Sequence, residues 1–241
     1  MDSVGVVIPA RNEQLLLPAC LAAIRRAVTL AALPGVVVVV LDDCTDRSRA
    51  VVERHREMVA VSVSFHNVGQ ARRAGFEVAL RRLAGMGLVA PWLATTDADS
   101  RVPDDWLQVQ LQLGGEGAEA VAGTVAVSDW QGRPEGLRSD FQAGYSYRDG
   151  HTHVHGANLG LSAAAYLRAG GVPPWRLAED AGLISAVARD SRLVRTARIP
   201  VLTSARRDPR ARGGFGDYLN HLETATRAGG SAKGPGSSSP G

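Results

Sequence analysis

Between Val4 and Thr96 the chain carries four short apolar runs, Val4–Ile8, Val36–Leu41, Val59–Phe65 and Trp92–Thr96, with helix-like stretches between them. The run from Val36 to Leu41 is apolar at every position, as a strand covered on both faces must be. Helical character is read from about Glu13 to Ala27, and again from Asn67-Val-Gly-Gln-Ala-Arg-Arg-Ala-Gly75 onward. Strands alternating with helices in this way predict right-handed crossovers and a parallel sheet with helices on both faces. Pro9 is read as the end of the first strand.

Such a sheet binds ligands outside the carboxyl ends of its strands, and acids stand at two of those ends. The second run closes in Asp42-Asp43-Cys44-Thr45-Asp46 and the fourth in Asp97-Ala98-Asp99-Ser100, ahead of a helix start at Pro103-Asp104-Asp105-Trp106. Residues i and i+2 beyond a strand point the same way, so Asp97 and Asp99 share one small volume. Like charges that close repel unless a cation lies between them, and two carboxylates suit a hard divalent ion.

The segments VVIPARNE, VLDDCTD, NVGQARRAG, TTDADS, GANLGLSAAAY and AED follow one another between residues 4 and 182. In this order they resemble the inverting family 2 glycosyltransferases of GT-A fold. The resemblance implies an α/β fold with a mostly parallel, doubly wound sheet in a single domain at 1–228. Its donor half covers about 1–100 and its acceptor half about 101–228, with a flexible Gly/Ser/Pro tail at 229–241. It implies transfer of a sugar from a UDP- or GDP-sugar to a hydroxyl acceptor with inversion, assisted by Mg²⁺ or Mn²⁺. Pro9, Ala10, Arg11 and Glu13 then line the nucleoside pocket, Asp43 meets the base, and Arg72 approaches the donor phosphates. Asp97, Ala98 and Asp99 form the D-x-D, Asp97 and Asp99 holding ribose and metal. Asp180 of the E-D pair is the base that takes the acceptor's proton, and Glu179, His155 and Asn158 contact the acceptor. Two departures stand out. DDCTD is one residue shorter than the usual motif, which leaves open whether Asp42 or Asp43 meets the base. Where related sequences place a metal-binding histidine downstream, this chain has Thr203-Ser-Ala-Arg-Arg207.

At 241 residues, with 45% hydrophobic and 21% charged residues, the chain has the balance of a globular domain. No apolar stretch is long enough to span a bilayer, and no basic segment precedes an apolar one at Met1-Asp2-Ser3. A cytoplasmic location is expected, and a soluble acceptor is favoured over a lipid-linked one. Cys20 and Cys44 suit a reducing compartment, and neither is assigned a catalytic role. The formal charge is +3, with Arg206, Arg207, Arg210 and Arg212 crowded into one segment and Arg72-Arg73 at a helix start. Guanidinium groups fit a diphosphate leaving group. Aromatics at 5%, not interleaved with these arginines, argue against nucleic acid as a partner.

The second half carries strand patterns at Ala118–Val127, Val154–Leu161 and Val194–Thr203, and helix patterns at Pro134–Tyr147, Ser162–Ala169, Ala178–Arg189 and Phe215–Arg227. His151, His153 and His155 fall at i, i+2 and i+4 and would share a face if that segment were a strand. A metal role, an acceptor contact through His155, and hydrogen bonding at a strand edge are all compatible with that spacing. Glu179 and Asp180 would also suit the first turn of a helix by charge alone. Three other function classes were weighed. A sugar-1-phosphate nucleotidyltransferase needs a Gly-rich signature with Arg and Lys after the first strand, which Pro9-Ala-Arg-Asn-Glu13 lacks. A dinucleotide oxidoreductase needs G-x-G-x-x-G there. A non-catalytic nucleotide-sugar binder would have no use for Asp180.

Overall fold

The structure is a computed structural model that describes residues 1–127, 129–130, 132–210 and 214–231. Seven strands form one sheet: β1 (Ser3–Ala10), β2 (Gly35–Asp42), β3 (Met58–Val63), β4 (Pro91–Thr95), β5 (Ala120–Val127), β6 (Leu159–Ser162) and β7 (Leu193–Thr203). Between them run α1 (Leu17–Ala31), α2 (Ser48–Val52), α3 (Val68–Gly85), α4 (Trp106–Gly115), α5 (Glu135–Gly144), α6 (Ala163–Arg168) and α7 (Glu179–Val187), with α8 (Phe215–Ser231) closing the chain.

The spatial order is β3-β2-β1-β4-β6-β5-β7. Pairing is parallel except at β6, which runs antiparallel to both β4 and β5. From β1 the chain steps to β2 and β3 on one side and then crosses back to β4 on the other side of β1. A crevice therefore opens where β1, β2 and β4 end, and the acids stand there.

The unbroken apolar runs have a direct cause. Val4, Val6 and Ile8 of β1 and Val37, Val39 and Leu41 of β2 pack with Leu17, Cys20, Leu21 and Ile24 of α1 on one face. Val7 of β1 and Val36, Val38 and Val40 of β2 pack with Ala71, Phe76, Ala79 and Leu83 of α3 on the other. Both sides of these strands are dry, so every position is apolar. Gly75 lets α3 sit down on the sheet, since a Cβ there would lie 2.4 Å from Val7 Cγ1.

Several predicted boundaries shift. β1 continues through Pro9 to Ala10. The Val7 carbonyl accepts from Thr96 N–H, so residues 7 and 9 turn their backbone polar groups toward β4, which has ended by then, and the N–H that Pro9 lacks is not missed. α1 begins at Leu17 rather than Glu13. The Glu13 and Gln14 N–H groups are engaged by Ser48 Oγ and Asp46 Oδ2, and Pro18 marks the first turn. β6 starts only at Leu159, so the histidines lie in a loop, not on a strand. β7 is a single strand, and α8 runs through Ser231 rather than ending at Arg227. The remainder of the proposed tail, 232–241, lies outside the described residues, as does Arg212.

Candidate active site

At the tip of β2 the two adjacent acids divide. Asp42 is buried, and its carboxylate accepts the N–H groups of Phe65 (2.7 Å), His66 (3.0 Å) and Asn67 (2.9 Å), fastening the β3–α3 turn to the sheet. Asp43 turns outward at φ 52°. Its Oδ2 lies 3.5 Å from His66 Nε2 and 3.8 Å from Arg11 Nη2, all three side chains being exposed. Asp43 is therefore the acid of this pair that a ligand can reach. Asn12 and His66 also adopt left-handed backbone, at φ 54° and 50°. Three such non-glycine residues around one mouth are held by tertiary contacts: Asn12 Oδ1 accepts from Thr45 N–H at 2.8 Å, and Cys44 Sγ donates to the Ala10 carbonyl at 3.4 Å. Cys44 is a strut between the ends of β1 and β2, and burial pushes its thiol pKa up.

At the tip of β4 the central residue is Arg72 of α3, whose side chain is 2% exposed. Its guanidinium donates to Thr95 Oγ1 at 3.1 Å, to Asp97 Oδ1 at 2.8 Å and to Glu179. The phosphate contact anticipated for Arg72 thus gives way to a buried hub that joins α3, β4 and α7. Asp97 remains 38% exposed. Burial of the carboxylate, together with the nearby charges of Asp99 and Asp180, pushes its pKa up to about 6 in spite of Arg72. The pKa of Asp99 is also raised by burial, opposed by Arg206, whose Nη2 reaches Asp99 Oδ2 at 2.9 Å.

Arg206 also grips Glu13, with Nη1 at 2.8 Å from Oε2. Glu13 is buried and faces this arginine. In the sequence Arg206 belongs to a basic cluster, and nothing local to it points to these acids. The signal available was its position in the segment where a metal-binding histidine was sought and not found.

The start of α7 divides its two acids as β2 does. Glu179 is buried against Arg72, its pKa raised by burial. Asp180 is half-buried and accepts Gly156 N–H and Ala181 N–H, each at 2.7 Å. Gly156 is needed at this point, because a Cβ would lie 2.5 Å from Arg72 Nη2. The loop before β6, the hub arginine and the start of α7 therefore meet beside Asp97. Gly156, Tyr145 and Thr95 belong to this construction and were not singled out from sequence.

Asn158 is fully buried. Its Oδ1 accepts from Trp106 Nε1 at 2.8 Å and its Nδ2 donates to the Thr124 and Ile199 carbonyls at 2.8 and 2.7 Å. The acceptor contact anticipated for it is replaced by a core role tying α4, β5 and β7 together. His155 stays at the edge of the site, half-buried, with Nε2 2.9 Å from Tyr145 Oη. Val125 N–H donates to that same oxygen at 2.9 Å, which directs the tyrosine proton at the imidazole. Burial lowers the pKa of His155 to about 4, so the ring is neutral and can accept it. His153 stacks on Tyr145 with centroids 4.0 Å apart, and His151 is buried with Nε2 3.3 Å from the Thr196 carbonyl. The three histidines form a ring column, not a shared strand face. Among the described residues no three His, Cys, Asp or Glu side chains converge to hold a metal.

As a donor set for a divalent cation, Asp97 and Asp99 offer hard oxygens at one crevice, each with one oxygen already taken by an arginine. They would fit a two-point anchor only, with further ligands needed from outside these side chains.

The family model described as glycosyl transferase family 2 matches residues 5–167, a span that contains the tips of β1, β2 and β4 and Arg72 and ends before Glu179, Asp180 and Arg206. The chain belongs to this family. Its fold is the GT-A fold. The S. aureus TarS 1-349 structure in complex with UDP-GlcNAc superposes with a TM-score of 0.65 at 14% identity, over 94% of this chain and 66% of that one. The mannosyltransferase PcManGT from Pyrobaculum calidifontis, in complex with GDP-Man and Mn²⁺, gives 0.56 at 20% identity over 96% and 76%. Glucosyl-3-phosphoglycerate synthase from Mycobacterium tuberculosis, in complex with Mg²⁺ and UDP, gives 0.54 at 15% identity over 94% and 77%. The chain spans between 37% and 66% of the TarS chains it matches. No curated protein sequence matches it significantly. Among the described residues no helix of this family member is long and apolar enough to cross a membrane.

Proposed function

We propose that this family 2 member transfers a sugar from a UDP- or GDP-sugar to a hydroxyl acceptor with inversion, and that Asp180 is the catalytic base. One observation carries the reading. Asp180 presents a half-buried carboxylate beside Asp97 and Arg72, at the crevice where three strands end. A base there faces the end of the site opposite Asp43, so nucleoside and acceptor are received from two sides. Pro9, Ala10, Arg11 and Glu13 border the nucleoside side, and Asp43 accepts from the base edge. Asp97 and Ala98 face the ribose and diphosphate.

Asp97 and Asp99 would hold a divalent cation, Mg²⁺ or Mn²⁺, which on binding offsets the negative charge of the departing diphosphate. The neighbours solved with Mn²⁺ or Mg²⁺ support this. Asp180 takes the acceptor hydroxyl proton as that oxygen attacks the anomeric carbon. Arg72 aims Asp97 and keeps Glu179 paired. His155, neutral and fixed by Tyr145, contacts the acceptor in this reading, which its closeness to Asp180 supports.

Incubation with UDP- and GDP-sugars, Mn²⁺ or Mg²⁺ and a set of hydroxyl compounds should yield a glycoside of anomeric configuration opposite to the donor's by NMR. Retained configuration, or no transfer with any donor, overturns the reading. Asp99→Asn should make donor binding insensitive to Mn²⁺, and a chelator should reproduce that in the unaltered protein.

A further inference from the structure

Arg206 stands where three segments meet: Glu13 comes from beyond β1, Asp99 from beyond β4, and Arg206 itself from the stretch after β7. One guanidinium serves both acids. Nη1 meets Glu13 Oε2 at 2.8 Å, while Nη2 is shared between Glu13 Oε1 and Asp99 Oδ2, the latter at 2.9 Å. The backbone beneath it is anchored, for its N–H donates to Ser204 Oγ at 3.2 Å and its carbonyl accepts from Arg133 Nη2 at 2.9 Å. Its side chain is 24% exposed, against 5% for Glu13 and 17% for Asp99. The acids lie deep, and the cation lies over them at the solvent side.

A divalent ion cannot take Asp99 Oδ2 while a guanidinium donates to it. A fixed positive charge at hydrogen-bond distance also repels any second cation that approaches the same carboxylate. A diphosphate reverses this balance. It supplies oxygens to the metal and, being planar-fork compatible with a guanidinium, gives Arg206 another acceptor. Resting on the reading that Asp97 and Asp99 face the donor diphosphate, we propose that Arg206 is a tethered counter-cation that excludes free divalent ions from Asp99. Metal is then retained only together with a nucleotide diphosphate, toward which the displaced guanidinium turns. Arg206 is a positioning residue in this role, holding the acid pair together between turnovers.

Titration of Mn²⁺, followed by loss of its free EPR signal, on the whole chain with and without UDP or GDP tests this. The unaltered protein should bind Mn²⁺ at least tenfold more weakly alone than with nucleotide. Arg206→Ala should bind free Mn²⁺ at least tenfold more tightly than the unaltered protein, while its affinity for nucleotide in Mn²⁺ falls at least tenfold. A merely structural arginine would not move these two affinities in opposite directions. Arg206→Lys keeps the charge and loses the fork, so it should still exclude free Mn²⁺ and bind nucleotide with intermediate affinity. Equal free-Mn²⁺ affinity in the unaltered, Arg206→Ala and Arg206→Lys proteins overturns the proposal. So does nucleotide binding that ignores EDTA in the unaltered protein yet needs Arg206, which would mean that the guanidinium replaces the metal outright. If Arg206→Ala does not fold, free-Mn²⁺ binding by Arg206→Lys as tight as that of the nucleotide-bound unaltered protein overturns it alone. Failure of the donor reading looks different: neither UDP nor GDP binds the unaltered protein with or without Mn²⁺.

Discussion

The acids at the tip of β2 and those at the start of α7 are both adjacent doublets, and each splits the same way. Asp42 is spent on three backbone N–H groups and Glu179 on Arg72, while Asp43 has exposed ion-pair partners and Asp180 stays half-buried, accepting the N–H groups of Gly156 and Ala181. Neighbouring residues diverge in direction, so one acid of a doublet enters the protein and the other faces the crevice. Asp97 and Asp99, two apart, do the opposite: both stay at the crevice, each steadied by a different arginine. On the proposed function, each doublet supplies one support and one working acid, whereas the D-x-D supplies two working acids.

The comparison breaks most visibly at α7. Asp180→Asn should lower kcat by roughly 10²–10⁴-fold, the usual span for loss of a general base, with donor affinity unchanged. Glu179→Gln should instead lower the melting temperature and leave a larger share of kcat. Single-turnover rates and thermal melts on the two variants read this directly, and near-normal transfer by a folded Asp180→Asn protein would move the base elsewhere.

Next in size is the hub. Arg72→Met strands the buried Glu179 and half-buried Asp97, and breaking a buried pair from one side costs about 3–5 kcal/mol, measurable by urea denaturation. Adding Glu179→Gln to Arg72→Met should recover part of that loss, because the buried charge is then removed. No recovery would mean that Glu179 is not the group the arginine serves.

The β2 doublet should separate more gently. Asp42→Ala leaves the N–H groups of Phe65, His66 and the buried Asn67 without their acceptor and should destabilise by about 1–3 kcal/mol. Asp43→Asn should change stability by less than about 0.5 kcal/mol and weaken UDP or GDP binding instead. The reverse pattern would assign the base contact to Asp42.

The smallest effect concerns His155. Its pKa is lowered from 6.5 to about 4 by burial, so the folded protein holds the neutral ring and the unfolded chain binds the proton first. Stability from this group is complete above about pH 6.5 and is lost as pH falls toward 4. Partial exposure of the ring reduces the effect to the order of 1 kcal/mol. The melting temperature of His155→Gln should therefore fall less than that of the unaltered protein between pH 7 and pH 4. Parallel curves would show that the ring is already charged in the folded state.

Much of this molecule was legible before folding. The runs at Val4, Val36, Val59 and Trp92 placed four strands; at Val36 the continuous apolarity follows from two covered faces, while edge strand β3 carries Ser62 and is only partly buried. Asp97 and Asp99 stood out at a strand end, a position set by local chain direction, whereas Asp43 and Asp180 were chosen through the family resemblance. What local pattern could not decide was partnership. Asn158 looked like an acceptor contact until Trp106, 52 residues away in sequence, took its Oδ1. Arg72 looked like a phosphate ligand until Glu179, 107 residues away, closed on it. The histidines looked like a strand face until Tyr145 stacked them as a column. Arg206 was one of several basic residues until it met Glu13, 193 residues before it. A hydrogen-bonding side chain does not encode its partner, since any acceptor brought within 3 Å by the packing of other elements will satisfy it. Strand ends follow from the chain's own periodicity, but the state of the groups at those ends follows from which distant charge the tertiary fold sets beside them.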